Sequence, residues 1–251
     1  MRQRDAVLTG KEMLQRLMAA VRRPAAPVRV DDIVDSAAGK SIVDQFHVLW
    51  YGSEAAAGVT WQGQPVLKSP FDLWMYQQLI TSTRPDVIIE TGTHRGGSAL
   101  FFSDVARLAG HDMDVITIDF NPKLAYDPAP HRIFPIAGIS TAGETIDAVR
   151  TLLSTRHSRP PTVMAVLDSD HSKQNVLDEL RLYAGFVSVG QWLVVEDTNV
   201  NGHPVLPGHG DGPYEAVADF LRANPAFEPD RSCERFLFTQ NPGGWLRRVR
   251  N

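Results

Sequence analysis

Short apolar runs and helix-patterned stretches alternate along the chain from residue 86 onward, and this alternation restricts the fold more than any other feature. The runs are rich in β-branched residues, which indicates strands, and they lie at 87–89, 115–118, 132–136, 163–167 and 192–195. The helical stretches lie at 99–108, 141–153 and 175–183, and another begins at Gly212-Pro213. Strands that alternate with helices form βαβ units with parallel, buried strands. We therefore predict an α/β fold with a mostly parallel sheet and helices on both faces.

The two ends of the chain carry further patterns. Runs at 236–238 and 245–249, separated by Asn241-Pro242-Gly243-Gly244, predict an antiparallel hairpin that completes a seven-stranded sheet. Residues 9–22 predict an amphipathic helix suited to packing or dimerisation, and a basic, Pro-rich linker follows it. We divide the chain into an N-terminal helical extension at 1–66, for oligomerisation or as a lid, and a main domain at 67–251.

A helix is also predicted just after that boundary, whereas residues 28–66 show no clear pattern. Ser69 suits the N-cap and Pro70 the first helical position of a helix that runs to about residue 80.

Composition narrows the class of protein. The 251 residues include 25 Lys and Arg against 29 Asp and Glu, a net charge of −4, which does not favour nucleic-acid binding. The single cysteine, Cys233, allows neither an internal disulfide nor a Cys-rich zinc site. We find no apolar run of membrane-spanning length and no apolar stretch typical of a secretory signal. We therefore expect a cytoplasmic enzyme, and the N-terminal helix favours a homodimer.

The first predicted strand runs into a turn with three glycines, Glu90-Thr91-Gly92-Thr93-His94-Arg95-Gly96-Gly97-Ser98. Glycines let the backbone turn tightly and approach a ligand, and the next helix offers free N–H groups to a carboxylate or phosphate. Asp119, at the tip of the second strand, is placed to accept hydrogen bonds from ribose hydroxyls. The nucleoside belongs either to NAD or to S-adenosylmethionine, and the acid at the start of the turn favours the latter. A tight turn without a ligand is the structural alternative.

Acidic residues end the fourth and fifth strands, at Asp168 and at Glu196-Asp197. Neighbouring parallel strands would bring these carboxylates to one edge of the sheet, where they repel each other unless a cation binds. Oxygen ligands favour Mg²⁺, Mn²⁺ or Ca²⁺ over zinc. The alternative is a set of separate, solvated acids.

A histidine accompanies this acidic cluster. His171 follows Asp168 by three positions, and its ordinary pKa near neutrality suits a general base. A zinc site built from His171, His203 and His209 fits no compact motif. The glycine-rich stretch 201–213 is either a lid over the acceptor or an inert connection. Two tryptophans and a tyrosine are either an aromatic wall or core residues: Trp50, Tyr51 and Trp61.

These motifs resemble the cephalosporin hydroxylase family, most of whose members look like S-adenosylmethionine- and Mg²⁺-dependent O-methyltransferases. The relatives include the macrolide-sugar, rhamnosyl and mycobacterial methylmannose polysaccharide O-methyltransferases. The likeness runs from about Phe46 to Arg248 and is most specific where Asp168-x-x-His171 is followed by Glu196-Asp197. It also includes Thr60-Trp61-Gln62-Gly63 and Lys68-Ser69-Pro70-Phe71-Asp72. Catechol-type methyltransferases look similar at lower resolution.

The resemblance implies a Rossmann-like methyltransferase fold and a role for each matching residue. For the cofactor, Glu90, Gly92 and Ser98 would line the methionine part, and Asp119 would bind the ribose. Ser140 would lie near the adenine, and Lys68 would lie on a segment that closes over the cofactor. Thr91 and Asp168 would also contact the cofactor. Asp168, Glu196 and Asp197 would hold Mg²⁺, and His171 would be the general base. No facial triad for iron is found, so hydroxylation is not supported.

The expected function is transfer of the methyl group of S-adenosylmethionine to a hydroxyl of a mannose- or rhamnose-type saccharide. This sugar would belong to a polysaccharide, a glycolipid or an antibiotic. The alternatives are a catechol or phenol O-methyltransferase and a non-catalytic S-adenosylmethionine-binding partner protein. A nicotinamide dehydrogenase would need a different glycine spacing.

Overall fold

A computed structural model describes residues 36–251 of the chain. The predicted amphipathic helix at 9–22 and the Pro-rich linker after it lie outside the described residues, and the predicted domain boundary at 66/67 stays a prediction. Within the described part, no helix has the length and apolar character needed to cross a membrane.

The strands form a small hairpin and one large sheet. The hairpin pairs β1 (Thr60–Trp61) with β2 (Gln64–Pro65). The large sheet consists of β3 (Val87–Thr91), β4 (Asp114–Asp119), β5 (Ile133–Ala137), β6 (Val163–Leu167), β7 (Trp192–Val195), β8 (Phe227–Pro229) and β9 (Trp245–Arg248). Its order is β5-β4-β3-β6-β7-β9-β8, with β3 to β7 parallel and β9 antiparallel to both neighbours. The predicted mostly parallel, seven-stranded sheet with an antiparallel C-terminal end is confirmed.

Helices cover both faces of this sheet. In chain order they are α1 (Ala37–Tyr51), α2 (Glu54–Ala57), α3 (Pro70–Thr83), α4 (Gly97–Leu108), α5 (Gly143–Arg156), α6 (Lys173–Tyr183) and α7 (Pro213–Ala223). Successive strand residues point to opposite faces, so Ile88 packs with α3 and α4 whereas Ile89 packs with α5, α6 and α7. Every residue of β3 and β6 is buried, because both strands are covered on two faces.

The C-terminal hairpin differs from the prediction in one of its strands. The partner of β9 is β8, whereas the expected strand at 236–238 is irregular. Phe227 of β8 pairs with Arg248 and is buried in the core, whereas Leu237 has a left-handed backbone (φ 70°) that interrupts an extended strand. Phe238 instead packs edge-on against Phe46 of α1. The apolar run at 236–238 therefore serves packing between loop and helix, not strand pairing.

Local sequence signals account for the helix starts around residue 70 and residue 37. The Ser69 hydroxyl accepts from the Asp72 amide at 3.1 Å, and Pro70 occupies the first helical position, as predicted. Ser36 caps α1 in the same way through the Gly39 amide, at 3.0 Å. The region 28–66, where the sequence shows no clear pattern, thus includes α1, α2 and the small hairpin in its described part.

Candidate active site

A cavity of about 700 Å³ opens at the carboxyl ends of β3, β4, β5 and β6. Ligand sites of open α/β sheets lie at this edge. The predicted cofactor residues that line the cavity are Lys68, Gly92, Ser98, Asp119, Ser140 and Asp168. Glu90 and Thr91 are fully buried in β3, behind that wall.

The glycine turn brings two chain segments into close contact. Gly92 has φ +88°, and a Cβ atom there would lie 1.8 Å from the carbonyl oxygen of Asp168. A Cβ at Gly97 would lie 2.1 Å from the carbonyl oxygen of Pro65. No side chain fits at either position, so these glycines let β6 and the 65–68 segment approach the turn.

Glu90 places a partly unpaired carboxylate beside this turn. Its Oε2 accepts from the Thr117 hydroxyl at 2.8 Å, whereas Oε1 is buried and has no hydrogen-bond partner. Burial raises the pKa of Glu90 to about 7, although Lys68 and the Ser98 hydroxyl lower it in part. A buried carboxylate oxygen without a donor fits a cationic group of a ligand.

Polar and apolar groups together form the other end of the cavity. The Asp119 carboxylate accepts from the backbone amides of His94, at 2.9 Å, and Asn121, at 2.8 Å, which holds it at the rim. Two large apolar side chains nearby are exposed, Phe120 at 81% and Ile139 at 63%, and both line the cavity. Exposed apolar groups in a cavity wall fit a planar ligand ring. The sequence analysis missed both, although each follows a strand end closely.

The acidic residues predicted at two strand ends do meet. Ligand atoms of Asp168, His171 and Asp197 lie within 4.8 Å of one another. His171 Nε2 is 3.4 Å from Asp168 Oδ1 and 3.3 Å from Asp197 Oδ2, yet it is aligned for a hydrogen bond with neither. Asp197 has a left-handed backbone (φ 53°), and its amide donates to Asn241 Oδ1 at 3.1 Å. Such conformations persist where the surrounding structure enforces them, often at functional sites.

Glu196 is turned away from this group. Its Oε1 accepts a short hydrogen bond from the Tyr76 hydroxyl, and its Oε2 lies 3.0 Å from Lys68 Nζ. Lys68 is 2% exposed and also contacts Asp168 Oδ2 at 2.6 Å. A buried ammonium needs opposite charges around it, and this requirement explains the orientation of Glu196. The structure thus brings Asp168 and Asp197 together as predicted but pairs Glu196 with Lys68.

Burial and neighbouring acidic groups have opposite effects on the pKa values of the two basic residues, His171 and Lys68. Burial lowers the pKa of His171, but the contact with Asp168 and the charge of Asp197 raise it to about 9. Burial raises the pKa of Asp197 to about 6 and that of Glu196 to about 8. Burial also lowers the pKa of Lys68, but Asp168 and Glu196 raise it above its ordinary value. The neighbouring carboxyls thus add to the effect of burial in opposing the ionisation of Asp197 and Glu196, and a divalent cation would relieve that opposition.

The remaining sequence candidates lie elsewhere. Within residues 36–251, His203 and His209 do not join His171 in a metal-binding group. Trp61 donates to Asp104 instead of lining the cavity, and Trp50 packs against Phe238.

Glu215, which the sequence analysis did not single out, fastens the glycine-rich loop 201–213. It accepts from the side-chain Nδ2 of Asn201 at 3.0 Å and from the backbone N–H of Gly212 at 2.8 Å, and it bonds to His203 Nε2 at 3.0 Å.

Comparison with known proteins places these features in a family. The family model described as "Rhamnosyl O-methyltransferase/CmcI" matches residues 54–249. A rhamnosyl O-methyltransferase of Mycobacterium leprae is 40% identical over 210 residues, which are 82% of this chain and 90% of that protein. A rhamnosyl O-methyltransferase of Mycobacterium tuberculosis (strain ATCC 25618 / H37Rv) is 35% identical over 213 residues, 84% of this chain and 86% of that protein.

Solved structures of CmcI share the fold. The apo-structure covers 78% of both chains at a TM-score of 0.60 and 22% identity. The form described as Mg-SAM covers 77% of this chain and 78% of its own, at a TM-score of 0.58 and 21% identity. The expected Rossmann-like methyltransferase fold is confirmed.

Proposed function

The chain belongs to the rhamnosyl O-methyltransferase/CmcI family, and from this premise we propose that it transfers the methyl group of S-adenosylmethionine to a sugar hydroxyl with the help of Mg²⁺. Membership confirms the expected enzyme class, an S-adenosylmethionine-dependent O-methyltransferase. The acceptor we propose is a rhamnose- or mannose-type saccharide, and the names of the mycobacterial relatives support the rhamnose alternative.

The cavity supports the cofactor assignment through complementary chemistry at its two ends. At one end Ser98 lines the cavity and Glu90 lies buried behind the wall with Oε1 unpaired, a combination that suits the ammonium of the methionine part. Asp119 suits the ribose hydroxyls, and the exposed side chains of Phe120 and Ile139 suit the adenine ring. The residues of the chain thus fix the cofactor's orientation, which methyl transfer in line with the sulfur requires.

The donor set at the mouth of the cavity fits a hard divalent cation. Asp168 and Asp197 offer carboxylate oxygens that lie within 4.8 Å of each other. Glu196 remains the proposed third ligand, for which its carboxylate must leave Lys68. When bound, Mg²⁺ supplies positive charge that favours ionisation of the acceptor hydroxyl.

His171 is the group we propose to take the acceptor proton. A base must be unprotonated, whereas Asp168 and Asp197 raise the pKa of His171 when nothing offsets their charge. A cation held by the same carboxylates opposes that effect. His171 therefore suits the role of base with the cation present.

The observation that carries this proposal is the convergence of Asp168, His171 and Asp197 at the cofactor-sized cavity. The test is calorimetric titration of S-adenosylmethionine with Mg²⁺ and with EDTA, followed by methyl transfer to rhamnosyl, mannosyl and catechol acceptors. Binding and Mg²⁺-dependent transfer to a sugar support the proposal. No binding in either condition contradicts it, and transfer to catechols alone contradicts the sugar assignment.

Two further expectations stay predictions. Sedimentation of the full chain tests the homodimer, and cell fractionation tests the cytoplasmic location.

A further inference from the structure

Asp104 carries a buried carboxylate in the middle of α4 that the proposed mechanism does not use. The residue is 1% exposed. Its Oδ2 accepts from the indole N–H of Trp61 at 2.9 Å and from the side-chain amide of Gln62, and its Oδ1 accepts from Arg107 at 2.8 Å. Although burial raises the pKa of Asp104, the hydrogen bonds from Arg107 and Trp61 lower it below the ordinary value. Two of the three donors to Asp104, Trp61 and Gln62, belong to the β1–β2 hairpin and lie 43 and 42 residues away in the chain.

The hairpin leads directly into the cavity wall. Gln62 (φ 48°) and Gly63 (φ 79°) form its tight turn, and the ring of Trp61 packs edge-on against Phe101, with centroids 5.0 Å apart. At the end of β2, the carbonyl oxygen of Pro65 lies against Gly97 so closely that only glycine fits there. The next residues, 66–68, line the cavity.

The far end of the same segment is also anchored. Lys68 Nζ contacts Asp168 at 2.6 Å and Glu196 at 3.0 Å, and Ser69 caps α3. We call residues 59–69 the strap. The strap lies over the glycine turn, held by Asp104 at its hairpin end and by Lys68 at its other end. Lys68 faces the proposed metal ligands, whereas Asp104 contacts the strap only away from the cavity.

We propose that Asp104 is a positioning residue for cofactor binding, which acts by fastening Trp61 and Gln62 to α4 so that the strap stays closed on the glycine turn. A preformed wall lowers the ordering cost of binding. Without the fastening, the hairpin is released and residues 65–68 no longer keep their distance from Gly97. This inference rests on the proposal that S-adenosylmethionine occupies the cavity.

The test is Trp61→Phe, which removes the indole N–H and keeps a ring against Phe101. The matched control is Trp192→Phe, because Trp192 Nε1 donates to Asp230 Oδ2 at 3.1 Å on a strand away from the cavity. Calorimetry should show the Kd for S-adenosylmethionine raised about tenfold in Trp61→Phe, as for one lost hydrogen bond to a charged group, and unchanged in Trp192→Phe. Asp104→Asn, which keeps one acceptor oxygen, should show a similar rise.

Kinetics distinguish positioning from general destabilisation. At saturating S-adenosylmethionine, kcat and the acceptor KM of Trp61→Phe should match the wild type, and its thermal melt should show a fully folded protein at the assay temperature, which excludes partial unfolding as the cause of the raised Kd. Equal Kd values for Trp61→Phe and Trp192→Phe overturn the inference and leave the proposed function intact. Failure of the wild type to bind S-adenosylmethionine overturns the proposed function instead.

Discussion

His171 lies between two carboxylates, and this position determines what its imidazole can do. Asp168 and Asp197 keep the ring within 3.4 and 3.3 Å, so the ring is oriented by charge at the mouth of the cavity. The sequence predicts this grouping because the carboxyl ends of parallel strands meet at one edge. It does not predict that Glu196 faces Lys68, since that pairing joins residues 68 and 196 through the tertiary fold.

At the residue scale, His171→Ala should lower kcat by about 10²–10⁴-fold, the usual loss with a general base, and leave S-adenosylmethionine binding unchanged. His157→Ala is a matched control, because His157 contacts Asp114 at the opposite edge of the sheet. Steady-state methyl transfer and calorimetry measure the two effects. A kcat within twofold of the wild type would show that His171 is not the base.

The proposed metal site is tested by Asp197→Asn. Asparagine tolerates the left-handed backbone at this position, so the change removes the negative charge without disturbing the turn. We expect calorimetry to lose the heat of Mg²⁺ binding in this variant, whereas Asp178→Asn, on the surface of α6, keeps it. Mg²⁺ binding of wild-type strength in Asp197→Asn would contradict the assignment.

At the scale of elements, Glu215 links the two ends of the 201–213 loop to the start of α7. Burial raises its pKa, but the hydrogen bonds from Gly212, His203 and Asn201 lower it to about 2. These hydrogen bonds fasten the loop at both ends. The loop also lies close to His171, since a Cβ at Gly212 would lie 3.2 Å from the His171 carbonyl oxygen. The sequence identifies the loop by its glycines but does not indicate which acid holds it.

A carboxyl whose pKa is lowered in the folded state stabilises the protein above its ordinary pKa, near 4.5, and this stabilisation is lost as pH falls towards 2. We expect Glu215→Gln to have a lower Tm than the wild type at pH 7, and the difference to shrink below about pH 4.5. Glu144→Gln is the control. Glu144 occupies the first turn of α5, as Glu215 does that of α7, but the start of α5 has no side-chain cap hydrogen bond. A Tm difference independent of pH would contradict this account.

At the scale of the whole molecule, the C-terminal segment fastens α1 to the domain. Phe238 is 4% exposed and packs against Phe46 and Trp50 of α1 and Phe71 of α3. Asn199 adds a bond of 2.8 Å to His47, which is buried in the same helix. Burial lowers the pKa of His47 to about 4, so its ring is neutral at pH 7.

The packing role of Phe238 is tested by comparing the buried Phe238 with the exposed Phe120. Phe238→Ala should cost about 3–5 kcal/mol of unfolding free energy, because it leaves a cavity among aromatic rings. Phe120→Ala should change stability by less than about 0.5 kcal/mol, since Phe120 is 81% exposed, and should weaken S-adenosylmethionine binding. Denaturant titration measures the first effect and calorimetry the second. Equal stabilities of the two variants would contradict the packing role of Phe238.

The sequence by itself determined the elements and residues whose causes are local. Buried strands such as β3 and β6 follow from short apolar runs, and the start of α3 follows from Ser69 and Pro70. The meeting of Asp168 and Asp197 follows from their positions at strand ends. The tertiary structure alone decided which distant groups meet. It paired β8 with β9, turned Glu196 to Lys68 and fastened Trp61 to Asp104. Such contacts depend on where the folded backbone leaves buried charges and donors without water, and no local pattern records that placement.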